Sequence, residues 1–238
     1  MLKVIKNRVR YSIVFVCTVV VLCSFSTAQD CYKEYEKVTN YYKSYDYENF
    51  TMVYATYAIV NGSQGGVLNN EITKNKSKVK FTNQYMEMYQ DDQHILMVSK
   101  ERKQISIQQV KRQNKIDVKQ YASFQQSVDT LKKYYKPLVC SMKNQQGEIT
   151  AELKDAYKSK SAVKRLVYVY EPQSGKLLQS IIDSEQQGTV RQETMSIAKF
   201  KSGNIADPFI GSVASLLATN SKWKEKYKSY KIIDLRSK

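Results

Sequence analysis

Two hydrophobic periodicities alternate along this chain and divide it into helical and extended stretches. Cys31, Tyr35, Val38, Tyr42 and Tyr45 recur at steps of 4, 3, 4 and 3, which places them on one face of a helix. Lys33, Glu34, Lys37 and Lys43 take the other positions. The period then falls to two. Residues 50–60 form an extended run with Phe50, Met52 and Tyr54 on one side and Val53, Ala55, Tyr57 and Ile59 on the other. A strand apolar on both sides is expected between two layers. Asn61-Gly62 and Gly65-Gly66 mark a turn. A meander is predicted beyond it over 67–73, 78–82, 85–89, 95–98 and 104–110, with breaks at 74–77, Asp91-Asp92 and Lys100-Glu101-Arg102.

A second helix is predicted over 118–136, with Phe124, Val128, Leu131 and Tyr135 as its stripe and Pro137 as its stop. Strands follow over 163–170, 177–183 and 189–200. Asp207-Pro208 reads as a helix start, an N-cap followed by proline at the first helical position, with Phe209, Val213, Leu216 and Leu217 lining that helix. Trp223, Tyr227 and Tyr230 stand at i, i+4 and i+7 among Lys222, Lys224, Lys226, Lys228 and Lys231. Such an amphipathic helix either packs its stripe on the core or lies on a membrane surface. Residues 232–235 read as a closing strand. The order predicts an α+β fold: a large curved antiparallel sheet, an incomplete β-barrel, with helices covering its concave face.

The first 28 of the 238 residues read as a cleavable signal peptide. Lys3, Lys6, Arg8 and Arg10 make a basic start, an apolar run covers 13–22, and Ser26-Thr27-Ala28 offers a cut before Gln29. The run is short of the roughly 20 residues that span a bilayer, which argues against a retained anchor. Leu22 before Cys23, inside the apolar run, is a poor lipid-attachment pattern. The expectation is one exported domain over 29–238, in the periplasm or secreted.

Export gives the cysteines a meaning. Cys17 and Cys23 fall within the signal, which leaves Cys31 and Cys140. In an oxidising compartment they are a disulfide candidate, two buried thiols being the other reading. Four of the 38 basic residues also fall in the signal, so the mature balance is 34 − 22 = +12. That favours anionic partners such as lipid headgroups or polyanionic glycans, while export argues against nucleic acid. The alternating Lys74, Lys76, Lys78 and Lys80 read as a solvated hairpin tip.

His94 is the one histidine, so a Ser–His–Asp or Cys–His system would run through it. It stands between the Asp91-Asp92 turn and an apolar strand, where a structural role is expected. No zinc spacing, phosphate loop or dinucleotide fingerprint occurs. No catalytic residue, metal ligand or cofactor is assigned, and a non-enzymatic protein is expected.

One family pattern overlies these elements. Phe50-Thr51-Met52-Val53-Tyr54 resembles the first long strand of the bacterial lipoprotein-carrier superfamily, the LolA/LolB-like fold, after its N-terminal helix. Glu71-Ile72-Thr73-Lys74-Asn75-Lys76-Ser77-Lys78-Val79-Lys80-Phe81 resembles its following hairpin. Glu87-Met88-Tyr89-Gln90-Asp91-Asp92-Gln93-His94-Ile95-Leu96-Met97-Val98 and Lys103-Gln104-Ile105-Ser106-Ile107 are similar to the next strands, and the pattern continues loosely through 168–200. Gln93 stands where glycine is usual, and Ile95 and Met97 replace aromatics. The lid arginine has only Arg102 and Arg165 as candidates. The resemblance implies a half-barrel that holds acyl chains, with an acyl chain or lipoprotein as ligand.

Met52, Tyr54, Met86, Met88, Ile95, Met97, Ile105 and Ile107 could line such a cavity, Met being suited to adaptable apolar sites. The same residues could equally fill a closed core. In that case the chain would be an accessory component of an envelope assembly, with an envelope protein or an anionic membrane surface as partner.

Overall fold

The computed structural model describes residues 28–43, 46–110, 127–218 and 221–236, with the side chains of 28–30 and 42–43 set aside. The expected signal peptide, apart from Ala28, lies outside the described residues, as do Tyr45, Phe124 and the start of the second helix.

The first stripe forms α1 (Ala28–Lys43). Seven strands follow: β1 (Asn49–Val60), β2 (Ser63–Gln64), β3 (Leu68–Asn75), β4 (Lys78–Thr82), β5 (Met86–Gln90), β6 (His94–Ser99) and β7 (Gln104–Gln109). Then come α2 (Val128–Tyr134), β8 (Val139–Lys143), β9 (Gln146–Glu152), α3 (Asp155–Lys158), β10 (Val163–Tyr170), β11 (Leu177–Gln186) and β12 (Thr189–Ser202). The chain closes with α4 (Val213–Leu216), α5 (Lys222–Lys226) and β13 (Lys231–Asp234).

All the strands join one open 13-stranded sheet in the order β13-β7-β6-β5-β4-β3-β1-β12-β11-β10-β9-β8, with β2 paired to β1. The long β1 is central, antiparallel to β3 on one side and to β12 on the other. The expected closing strand is present, but β13 lies parallel to β7, which makes the sheet mixed.

Two layers of side chains hold this sheet, one on each face. On the first, Cys31, Tyr35 and Val38 of α1 and Leu131 of α2 bury with Phe50, Met52, Tyr54, Ile72, Ile149, Tyr168 and Leu177. Tyr35 meets Tyr168 with ring centroids 5.7 Å apart. Cys31 is bonded to Cys140 of β8, a span of 109 residues, and so fastens α1 to the edge of the sheet. On the opposite face Tyr89, Leu96, Val98, Ile105 and Ile107 bury under Phe209, Val213, Leu216 and Tyr227. Helical residues therefore pack on both faces of the sheet. The aromatic stripe of the lysine-rich segment is used for this second packing.

Two local readings are corrected. No element is expected between Pro137 and Val163, yet the β8–β9 hairpin lies there. Its turn residues Asn144 and Gln145 have φ of 50° and 65°, a left-handed pair without the glycine that usually announces such a turn. Asp207-Pro208 does not start a helix. The Asp207 carboxylate instead accepts from Asn75 Nδ2 at 2.9 Å and from Lys78 Nζ at 2.7 Å. The helix begins at Val213, capped by Ser212, whose hydroxyl accepts from Ser215 N at 3.2 Å.

Candidate ligand-binding cavity

The register of β1 builds the first face row by row. Met52 stands between Ile72 and Phe200, Tyr54 between Asn70 and Ile197, and Thr56 between Leu68 and Met195. Phe50 and Met52 are buried within the first cluster, where Phe50 meets the rings of Tyr47 and Phe200. At the Thr56 end the face opens into a cavity of about 700 Å³, within the size range of small-molecule pockets. No helical residue stands among its described lining. Tyr54, Ala58, Leu68, Phe81, Ile182 and Met195 supply apolar wall, with Gly65 and Gly66 at one side.

The polar lining is organised. Asn70 is 5% exposed and donates through Nδ2 to Thr56 Oγ1 at 3.2 Å and to the Leu68 carbonyl at 3.1 Å. Its carbonyl oxygen accepts from Asn83 Nδ2 at 3.2 Å. With its hydrogen bonds made inside the protein, Asn70 adds little desolvation cost to the cavity wall. Arg191 and Glu193 pair at 2.6 Å in the same lining, both exposed.

Of the eight residues expected to line a cavity, Tyr54 does. Met52, Met88 and Ile95 are buried in the first cluster and Met86 packs against it. Met97 shares that face by alternation, opposite Met88, and is 36% exposed. Ile105 and Ile107 pair with Val98 and Leu96 and belong to the second cluster, on the other side of the sheet. The structure does not bring them together with the other six. Leu68, Phe81, Ile182 and Met195 carry no lining signal in the sequence because each sits in a strand of mixed polarity.

The second face holds the most perturbed carboxylate. Glu87 Oε2 accepts from Tyr227 Oη at 2.6 Å and from Tyr89 Oη at 2.7 Å, while Lys226 Nζ reaches Oε1 at 3.2 Å. Burial alone would raise this carboxyl, but those hydrogen bonds outweigh it and hold it down at about 2. Asp91 is likewise structural. Its Oδ2 accepts from Val213 N at 2.6 Å, at the start of α4, and its Oδ1 from His94 N at 2.8 Å. Burial opposes ionisation of Asp91, yet these backbone donors carry it below the usual range. His94 Nδ1 is buried with no hydrogen-bond partner among the described residues. Among those residues no group of three His, Cys, Asp or Glu side chains could hold a metal ion.

No protein-family model matches the chain, and no curated protein matches it. Solved structures are similar to it at low identity. LprF from Mycobacterium bovis is 7% identical with a TM-score of 0.47, covering 76% of this chain and 97% of that one. The Pseudomonas aeruginosa MucA/MucB complex is 10% identical at 0.42, covering 75% of this chain, which spans 59% of the other. A LolA superfamily protein from Nitrosomonas europaea is 5% identical at 0.31, covering 76% and 97%. These likenesses concern the fold, and at such scores no ligand or partner is inferred from them. No helix among the described residues is long and apolar enough to cross a membrane.

Proposed function

We propose that this chain is a non-enzymatic, exported binding protein that takes an acylated or otherwise hydrophobic ligand into the open cavity on the first face of its sheet. The cavity itself carries the reading: about 700 Å³ of space with apolar walls from β1, β3, β4, β11 and β12. An aliphatic chain placed there would bury apolar surface on both itself and the wall, at about 25 cal/mol per Å². The exposed Arg191 and Glu193 in the same lining favour a ligand with a polar end over a plain hydrocarbon. Export rests on the 1–28 pattern.

Native mass spectrometry of the protein purified from its own cell envelope or medium tests this, together with uptake of a fluorescent fatty acid. A bound mass that extracts as lipid or acyl peptide is expected, as is saturable uptake. Ala58→Trp, which places an indole in the cavity, should weaken uptake at least tenfold with the melting temperature little changed. A clean apo mass with no uptake would overturn the reading. It would favour an accessory envelope component acting through protein contacts, for which the exposed edge strand β8, with Val139 and Met142 in water, offers a surface.

A further inference from the structure

Positive charge is concentrated on one lobe of the opposite face. The β6–β7 turn supplies Lys100, Arg102 and Lys103, and five lysines lie between Lys222 and Lys231. Only Glu87, Glu101 and Glu225 stand against these eight cations within the two stretches and the strand beneath them. The stretches form one surface. Lys231 N donates to the Lys103 carbonyl at 2.9 Å, and Lys100 and Lys226 both reach Glu87, at 3.5 and 3.2 Å. Glu87 is buried beneath the lysines, and Glu225 is taken by Lys228 at 2.8 Å. Arg102, Lys103, Lys222 and Lys231 are exposed and form no ion pair among the described residues.

Apolar side chains stand in water among these cations. Tyr85 is 55% exposed and Ile232 is 45% exposed. Tyr85 is held beside the turn, its carbonyl accepting from Lys100 N at 2.9 Å. The lobe also adjoins the cavity, because Lys100 Nζ donates to the carbonyl of Asn83, a cavity-lining residue, at 2.6 Å.

We propose that this lobe docks the protein on an anionic phospholipid surface. Lysine and arginine gain from the negative potential of such a surface, and Tyr85 and Ile232 gain from the headgroup–acyl boundary. A polyanionic glycan would satisfy the cations but give the apolar pair nothing to enter. The docking does not rest on the ligand-binding reading above.

Cosedimentation of the purified full chain with vesicles tests the proposal. Binding is expected to phosphatidylglycerol–phosphatidylcholine vesicles, lost at high salt, and not to phosphatidylcholine alone. The variant Arg102→Gln, Lys103→Gln, Lys222→Gln, Lys231→Gln should bind roughly a hundredfold more weakly at low salt. Lys76→Gln, Lys143→Gln, Lys199→Gln, Lys201→Gln removes the same charge elsewhere and should stay within about threefold of the parent. Equal loss in both variants, equal binding to both vesicle types, or binding to heparin without binding to vesicles would overturn it. Uptake of the fluorescent fatty acid without vesicles should be the same in the lobe variant and the parent. Failed uptake with intact vesicle binding would remove the ligand reading and leave the docking.

Discussion

The Tyr227 hydroxyl donates to Glu87 Oε2 at 2.6 Å across a sequence gap of 140 residues. This bond ties the C-terminal segment to the outer face of β5, where Tyr227 is 5% exposed. Tyr227→Phe keeps the ring packing and removes one donor from a buried charge, so it should cost about 1.5–3 kcal/mol. Urea unfolding of the variant checks this. A loss below about 0.5 kcal/mol would mean that the ring, and not the bond, holds the segment.

The same carboxylate sets a pH dependence. Its folded value of about 2 lies below its ordinary value of 4.5. A depressed carboxyl contributes stability that is complete above the ordinary value and is lost as pH falls through the folded one. Stability should therefore drop between about pH 4.5 and pH 2, and Glu87→Gln should flatten that part of the profile. Melting temperatures of both proteins across this range are the measurement.

The Cys31–Cys140 bond closes a span of 109 residues. In the chain-entropy model such a loop is worth about 4–5 kcal/mol. Reduction, or Cys31→Ser with Cys140→Ser, should lower the denaturation midpoint accordingly and loosen α1 first. Hydrogen exchange of the α1 amides against those of β1 tests the order.

Gly175 holds the β10–β11 turn against α1. Its φ is +79°, and a Cβ there would lie 2.8 Å from the Lys37 carbonyl oxygen. Gly175→Ala is both conformationally strained and in collision with backbone, so a loss of about 2–3 kcal/mol is expected. Gly188, also at φ +79°, has nothing within 4 Å. Its alanine variant should lose only the strain, about 1 kcal/mol.

Tyr47 offers the opposite sign. Its hydroxyl is buried without a hydrogen-bond partner among the described residues, and burial pushes it up to about 12. Tyr47→Phe relieves an unpaired polar group while keeping the contacts with Phe50 and Phe200. It should be neutral or stabilising by up to about 1 kcal/mol. A clear loss of stability in thermal unfolding would contradict this.

The candidate cavity was the least legible part of the chain. Tyr54 could be read as lining because β1 is apolar over its whole length. Leu68, Ile182 and Met195 could not, because each becomes part of a wall only when antiparallel registers bring β3, β11 and β12 beside β1. Ile105 and Ile107 show the converse. Their alternation is plain, but alternation alone does not say which side of the sheet an apolar row faces.

What the sequence determined by itself was local. Spacing of apolar residues set the helix α1 and most strands, since each period is a property of one segment's backbone geometry. Turn residues set several boundaries, and the cysteine count narrowed the disulfide to one pair. The tertiary structure alone decided the rest: the β8–β9 hairpin, the parallel seat of β13, the second helical layer and the open end of the first face. Most of those features depend on pairings between residues far apart in sequence, as between Phe50 and Ser202, and only the assembled sheet determines which segments pair and which rows are left uncovered.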